Sequence, residues 1–435
     1  MARIAMNRRI VVDTGPLARV EGEGSLTIEA EGEKVLAVRL NIFEPPRYYE
    51  AFLKGRKVEE VVDMVSRICG ICPVAYQVSA LNALEALFGV DVDEEVRRVR
   101  RLLYLGEWIE SHALHIFMLA TPDYLKVPDV SAIAKNSADL VRNALVVKKL
   151  GNRMMATIGG REVHPVSLKL GGIHKAPSKE SLQELSLKLQ SSLGFAKETV
   201  KLAASFEKPA LERDVAFVCL KDPARYAIDE GDIVSNRGLH IPPSGFEDNF
   251  AEHQADYSSA LRSLTKSGDS YMVGPLARTN LNYSRLHPTA LASAEEVGFR
   301  PPVTNPFESI VARAIELVHT IEEIMVEVKE YAKPVHPSAK YEYCAGRAFG
   351  VSEAPRGILY HRYDVDSKGN ITGAKIVPPT AQNLIRIEED VRQLAPVILA
   401  APPEEARRLS EMAVRNYDPC ISCATHFLKL QIKRV

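Results

Sequence analysis

The sequence predicts an α+β fold, mainly helical, with a central bundle of long helices and small peripheral β-sheets. Three observations lead there. Apolar residues recur at helical spacing through several long stretches, enough to build a bundle core. Alternation of apolar and polar residues, the mark of half-buried strands, is confined to the start and to a stretch before the end. Two Cys-x-x-Cys pairs stand far apart, Cys69 and Cys72 near the front and Cys420 and Cys423 near the back. A site shared by both pairs would tie the 435 residues into one unit, although length alone would allow two or three domains. The expected parts are a β region and entrance helix (1–66), a helical core (67–333), a β segment with closing helices and the second cysteine pair (334–426), and a tail (427–435).

Residues 9–14 and 25–43 alternate as strands, with a turn at Glu31-Gly32-Glu33. Glu50 opens a helix through Ala51-Phe52-Leu53, where an acid suits the dipole. From Cys72 to Phe88, Val74, Val78, Leu81, Leu84 and Leu87 keep helical spacing. Cys69 and Cys72 therefore stand at a helix entrance, where amide dipoles lower a thiol pKa. Residues 91–120 read as one helix carrying His112 and His115. No third ligand accompanies them, which disfavours a metal site. Further helices are expected at 130–158 and 179–206, and 207–250 reads as loop. Cys219, in the apolar run AFVCL, behaves as a small hydrophobe, and Cys344 has the same reading. Residues 306–333 form a helix with Ile310, Ala314, Leu317, Ile321, Ile324 and Val328 inward. Strands GILYHRYDV and ITGAKIVPP precede closing helices at 381–398 and 403–416.

The formal net charge of -1 gives no electrostatic reason to expect nucleic acid or an anionic membrane as partner. No run is apolar and long enough to span a bilayer, and MARIAMNRRIVVD lacks the apolar core of a secretory signal. The Gly159-Gly160 to His164-Pro165 turn follows no strand and lacks G-x-G-x-x-G spacing, so it is not a nucleotide site.

Four thiolates can hold one metal or cluster. A zinc site of four cysteines normally separates its pairs by about 15–20 residues, and it staples modules that lack a core. With 46% hydrophobic residues this chain needs no staple. A thioredoxin-like pair wants a βαβ context, and disulfides are disfavoured in a reducing cytosol. Soft thiolates select zinc, copper(I), nickel or iron–sulfur chemistry. Spacing leaves these open.

The flanking residues are more specific. RICGICPVAYQVSALNALE resembles the first cysteine motif of the [NiFe]-hydrogenase large subunit, R-x-C-G-x-C-x-x-x-H. DPCISCATH resembles its second, D-P-C-x-x-C-x-x-H. The family's first histidine, a support and not a ligand, falls at Tyr76. The resemblance implies that Cys69 and Cys420 are terminal nickel thiolates. It implies that Cys72 and Cys423 bridge nickel to an iron carrying CO and cyanide.

Other segments resemble the family in turn. Arg19-Val20-Glu21-Gly22, otherwise a charged turn, matches R-[IV]-E-G, which makes Glu21 the first proton relay. A carboxyl in a partly apolar pocket can exchange protons near neutrality. Arg47-Tyr48-Tyr49-Glu50 matches R-G-x-E, with Tyr48 in place of glycine and Glu50 as a magnesium ligand. The turn bearing His164 matches a segment near the cofactor and partner subunit. Glu353-Ala354-Pro355-Arg356-Gly357 would suit any surface turn, but it matches E-A-P-R-G, whose arginine hangs over the metals. Pro378-Pro379-Thr380 resembles V-P-x-T, whose threonine donates to an iron cyanide. Asp418 belongs to the second cysteine motif. The resemblance implies that His426 is the second magnesium ligand and the point where a maturation endopeptidase removes the tail.

By resemblance, then, the chain is the catalytic subunit of a [NiFe]-hydrogenase, splitting H2 heterolytically and reversibly into protons and electrons. The implied cofactors are the Ni-Fe centre with CO and cyanide, and Mg2+. The implied partners are an iron-sulfur small subunit, nickel-insertion proteins, and flavin, NAD(P) or deazaflavin-reactive subunits. Motif details are most like the cytoplasmic group, with NAD(P), a deazaflavin, ferredoxin or sulfur-linked partners as acceptor. An H2 sensor on the same site, a complex I relative that would lack the cysteines, and a protein with structural zinc or disulfide pairs are the rival readings.

Overall fold

A computed structural model describes residues 9–211 and 213–425. The chain starts with an antiparallel sheet of β1 (Arg9–Pro16), β2 (Gly24–Glu31) and β3 (Lys34–Ile42) in sequence order. β2 buries every other residue, Leu26, Ile28 and Ala30 among them, as its alternation requires. Two short helices follow, α1 (Tyr49–Leu53) and α2 (Val58–Ser66). The first cysteine pair lies between α2 and α3 (Pro73–Phe88).

The bundle core is built on α4 (Glu94–Ala113), α5 (Ala138–Gly159), α6 (Lys179–Ser205) and α7 (Ser309–Glu330). α4 packs on α5 and α7, and α6 packs on α7. α4 is buried almost all round from Val99 to Ala113, as a central helix must be. It runs on as a π-helix over Leu114–Ala120. The helix expected over 130–158 is two, Val130–Asn136 and α5, separated at Ser137. The stretch expected to be loop contains strands at Val218–Lys221, Asp232–Ser235 and His240–Ile241 that form a small sheet of their own.

A second three-stranded antiparallel sheet joins β4 (Gly346–Ala354), β5 (Gly357–Val365) and β6 (Ile371–Val377). Ala354 pairs with Gly357, so Pro355 and Arg356 form the tip of a tight hairpin. β4 lies on α3, which carries that tip to the first cysteine pair. Helices α8 (Pro379–Ala400) and α9 (Pro403–Arg415) then return the chain to the second pair. Among the described residues no helix is long and apolar enough to cross a membrane.

Candidate metal centre

The fold brings the two cysteine pairs together. Cys72 is the residue before α3, with proline at its first position, a favoured helix start. The Cys69 sulfur accepts from the amides of Ile71 and Cys72 at 3.4 and 3.3 Å. The next two amides, of Val74 and Ala75, are taken by the buried carboxylate of Glu107 on α4 at 2.6 and 3.2 Å. The sulfurs of Cys69 and Cys72 lie 3.1 Å apart, those of Cys420 and Cys423 2.7 Å, and those of Cys69 and Cys420 3.5 Å. All four cysteines are buried and free.

Hydrogen bonding from Cys420, then Cys423 and Cys72, holds the Cys69 thiol well below its ordinary value. Burial pushes Cys420 and Cys423 up. Four soft, reduced donors in one buried cluster fit a thiophilic metal, and the sulfurs of Cys69, Cys420 and Cys423 lie within 4.8 Å of one another. A cation there would release the protons now shared among the sulfurs.

Glu21 stands beside this cluster. Its Oε2 lies 3.1 Å from the Cys420 sulfur and accepts the Ser422 amide at 3.0 Å. Its carbonyl accepts the Ile421 amide at 2.9 Å. Gly22 allows this approach: at φ +92 a Cβ there would meet Ile421 Cβ at 2.6 Å. Arg19 ties the same loop to Asp123 at 2.6 Å, and Asp123 also binds Arg415 through both carboxylate oxygens at 2.7 Å.

Arg356 is buried at the hairpin tip. Its Nε donates to the Asp418 carbonyl at 2.7 Å and its Nη2 to Asp418 Oδ1 at 3.1 Å. Its Nη1 has no partner among the described residues. Burial disfavours the guanidinium charge, but the Asp418 carboxylate beside it outweighs that. Behind the tip, Arg278 donates to Glu316 and Glu353 and to the carbonyls of Ala354 and Pro355. Burial raises Glu353 to about 7.

Thr380 Oγ1 accepts the Cys420 amide at 2.9 Å, leaving its own hydrogen to donate. Glu50 Oε1 accepts the Ile376 amide at 2.8 Å, and neighbouring Arg47 binds the carbonyls of Ile68, Ser422 and Thr425. Tyr48, where the family motif has glycine, takes the left-handed backbone that glycine adopts freely (φ 57). His164 Nδ1 binds the Ser66 carbonyl at 2.8 Å; it braces the loop before Cys69 and makes no hydrogen bond to a cluster sulfur. Tyr76 is buried, with its hydroxyl unpartnered among the described residues. His426 and the tail lie outside the described residues.

Sequence reasoning missed Glu107, Asp123, Arg278, Arg313, Glu316 and Arg415, all buried and charged. One signal was available: Arg313 falls one position before Ala314, and Glu316 one before Leu317, at the edge of the inward stripe of 306–333.

A family model described as nickel-dependent hydrogenase matches residues 47–145. The α chain of sulfhydrogenase 1 from Pyrococcus furiosus is 35% identical over 418 residues, covering 95% of this chain and 97% of that one. The chain belongs to the nickel-dependent hydrogenase large-subunit family. One component of the F420-non-reducing hydrogenase of Methanothermobacter thermautotrophicus is 31% identical to it, covering 96% and 95% of the two chains. The crystal structure of an NAD+-reducing [NiFe]-hydrogenase in the H2-reduced state superimposes with a TM-score of 0.86 at 29% identity, covering 96% of this chain and 99% of that one. This hydrogenase chain is thus an oxidoreductase, the catalytic large subunit of a family built around a Ni-Fe centre. The zinc-staple, disulfide and complex I readings fall away.

Proposed function

We propose that the four cysteines of this hydrogenase chain hold nickel and iron, and that Glu21 and Arg356 serve the heterolytic cleavage of H2 between them. When bound, the centre supplies the Lewis acidity that polarises H2 and the redox capacity that takes up its two electrons. Cys69 and Cys420 would hold nickel, and Cys72 and Cys423 would serve both nickel and an iron that would carry CO and cyanide. The observation that carries this reading is the Glu21 carboxylate 3.1 Å from the Cys420 sulfur. A proton released onto that sulfur has an acceptor at hydrogen-bond distance. Arg356 offers a fixed, charged Nη1 donor at the same centre, and an oriented donor in a dry site costs no reorganisation. Thr380 orients Cys420 and has a hydrogen left to donate.

Glu50 and His426 are assigned to a magnesium ion, since the contacts of Arg47 with Ser422 and Thr425 bring the 47–50 segment to the end of the described chain. A maturation endopeptidase that removes the tail after His426, once nickel is inserted, completes this reading.

Electrons leave through an iron–sulfur subunit. Beyond the four site cysteines only buried Cys219 and exposed Cys344 remain, too few for a relay cluster. Exposed Gly70 and Val163 lie side by side next to Cys69, and an apolar surface there suits a permanent partner. The kinship with sulfhydrogenase, F420-non-reducing and NAD-reducing enzymes points to NAD(P), sulfur-linked or F420-independent partners in the cytoplasm as the onward route.

Metal content per chain tests the assignment, on protein purified without oxygen. About one nickel with at least one iron and no stoichiometric zinc is the expected result. Stoichiometric zinc, or none of these metals in protein from nickel-fed cells, would overturn it.

A further inference from the structure

The carboxylate that holds Arg356 is itself only half held. Asp418 gives its carbonyl and Oδ1 to the guanidinium, while Oδ2 has no partner among the described residues. Two more buried side chains, His115 and Arg313, bind the carbonyls of Arg415 and Asn416, in the turn that Asp418 closes through its own amide on the Arg415 carbonyl. Each has one polar atom left over. His115 Nε2 lies 2.8 Å from the Arg415 carbonyl. A carbonyl only accepts, so Nε2 carries the ring proton and Nδ1 is a bare acceptor, and it has no partner among the described residues. Arg313 spends Nη1 on Ser309 and the Asn416 carbonyl, and its Nε–H is left over. His115 and Arg313 are 1% exposed and Asp418 4%, so bulk water does not serve these atoms.

The leftovers at this turn are one donor and two acceptors. A metal cation would suit the acceptors but would meet Arg313 and Arg356. An anion would suit Arg313 but would meet both acceptors. A small neutral group that accepts once and donates twice satisfies all three, and about three hydrogen bonds is the usual complement of a buried water. His115 also lies in the π-helical segment Leu114–Ala120, where the wider turn breaks the helical phase; such segments are common at functional sites.

We propose that His115, Arg313 and Asp418 hold a single internal water molecule, and that this water fixes the Asp418 carboxylate and, through it, the guanidinium of Arg356. His115 and Arg313 are then positioning residues for the reaction. The functional half rests on the assignment of Arg356 to the metal site; the water site itself does not.

The test is a high-resolution crystal structure of the purified holoenzyme, wild type beside His115→Leu and His115→Asn. The expected result is one density peak at about 2.7–3.2 Å from His115 Nδ1, Arg313 Nε and Asp418 Oδ2. The peak disappears in His115→Leu and returns in His115→Asn, whose amide oxygen replaces Nδ1. With nickel and iron content unchanged, His115→Leu turns over about tenfold more slowly, the size of one lost hydrogen bond, and His115→Asn recovers most of the rate. No peak in wild type, with the three atoms paired to protein instead, would overturn the water site. A His115→Leu enzyme with Arg356 unmoved and turnover unchanged would overturn the positioning role. If His115→Leu does not fold, Arg313→Met replaces it. Metal analysis of wild type tests the Ni-Fe assignment separately.

Discussion

Glu21 and Cys420, 399 positions apart, meet twice: their main chains pair as a parallel bridge, and Glu21 Oε2 lies 3.1 Å from the Cys420 sulfur. The backbone pairing sets the side-chain distance, so the carboxylate does not have to find the thiol. Glu21→Gln keeps an oxygen for the Ser422 amide but cannot pass a proton. We expect H2 oxidation with an artificial acceptor to fall about 10²–10⁴-fold, with nickel and iron per chain unchanged. A variant within tenfold of wild type would remove Glu21 from the proton route.

Arg278 neutralises two buried carboxylates and grips the carbonyls of the Arg356 hairpin. Arg278→Met leaves Glu316 and Glu353 without their cation. The expected loss is about 3–5 kcal/mol, read from urea denaturation of the purified chain. A loss below about 1 kcal/mol would show that Glu316 and Glu353 are stable without it.

Burial, with Arg313 beside it, holds His115 at about 3 in the folded chain. The unfolded chain takes up this proton near pH 6.5. Between about pH 6.5 and 3 the unfolded state therefore binds more protons, and stability falls as pH falls through that window. Above pH 6.5 His115 adds no pH dependence. Denaturation midpoints measured across this range should fall less steeply in His115→Asn than in wild type. Equal slopes would mean that His115 does not enter the folded state neutral.

Tyr76 stands where the family motif has histidine, and its buried hydroxyl has no partner among the described residues. Removing such a group forfeits no protein hydrogen bond. Tyr76→Phe in the metal-free chain should change stability by less than about 1 kcal/mol, or raise it. A loss above about 2 kcal/mol in thermal unfolding would show that the hydroxyl is bonded.

Local chemistry made much of this legible. The cysteine pairs, Glu21, Arg356 and Asp418 sit in short motifs whose residues act together, and α4 and α7 carry unbroken helical periodicity. Elsewhere the deciding partner is distant. Ser137 ends a helix without the proline or glycine that announces a break. β4 shows no alternation because it is buried on both faces over Val351 to Ala354. The strands within 207–250 are too short, among Pro, Gly and Asp, to set a period. Arg278 and Glu316 look like solvent-facing charges until the fold sets them 2.7 Å apart.

The four-sulfur cluster needs both cysteine pairs, and they are made at different times. Cys69 leaves the ribosome 351 residues ahead of Cys420. At about 5–20 residues per second, the first pair waits on the order of 20–70 s as a bare dithiol. During that interval it competes for whatever soft metal the cell offers. Fidelity of loading would therefore be a matter of timing: a metal taken before the late segment threads in beside Glu21 would find only half of its sulfurs.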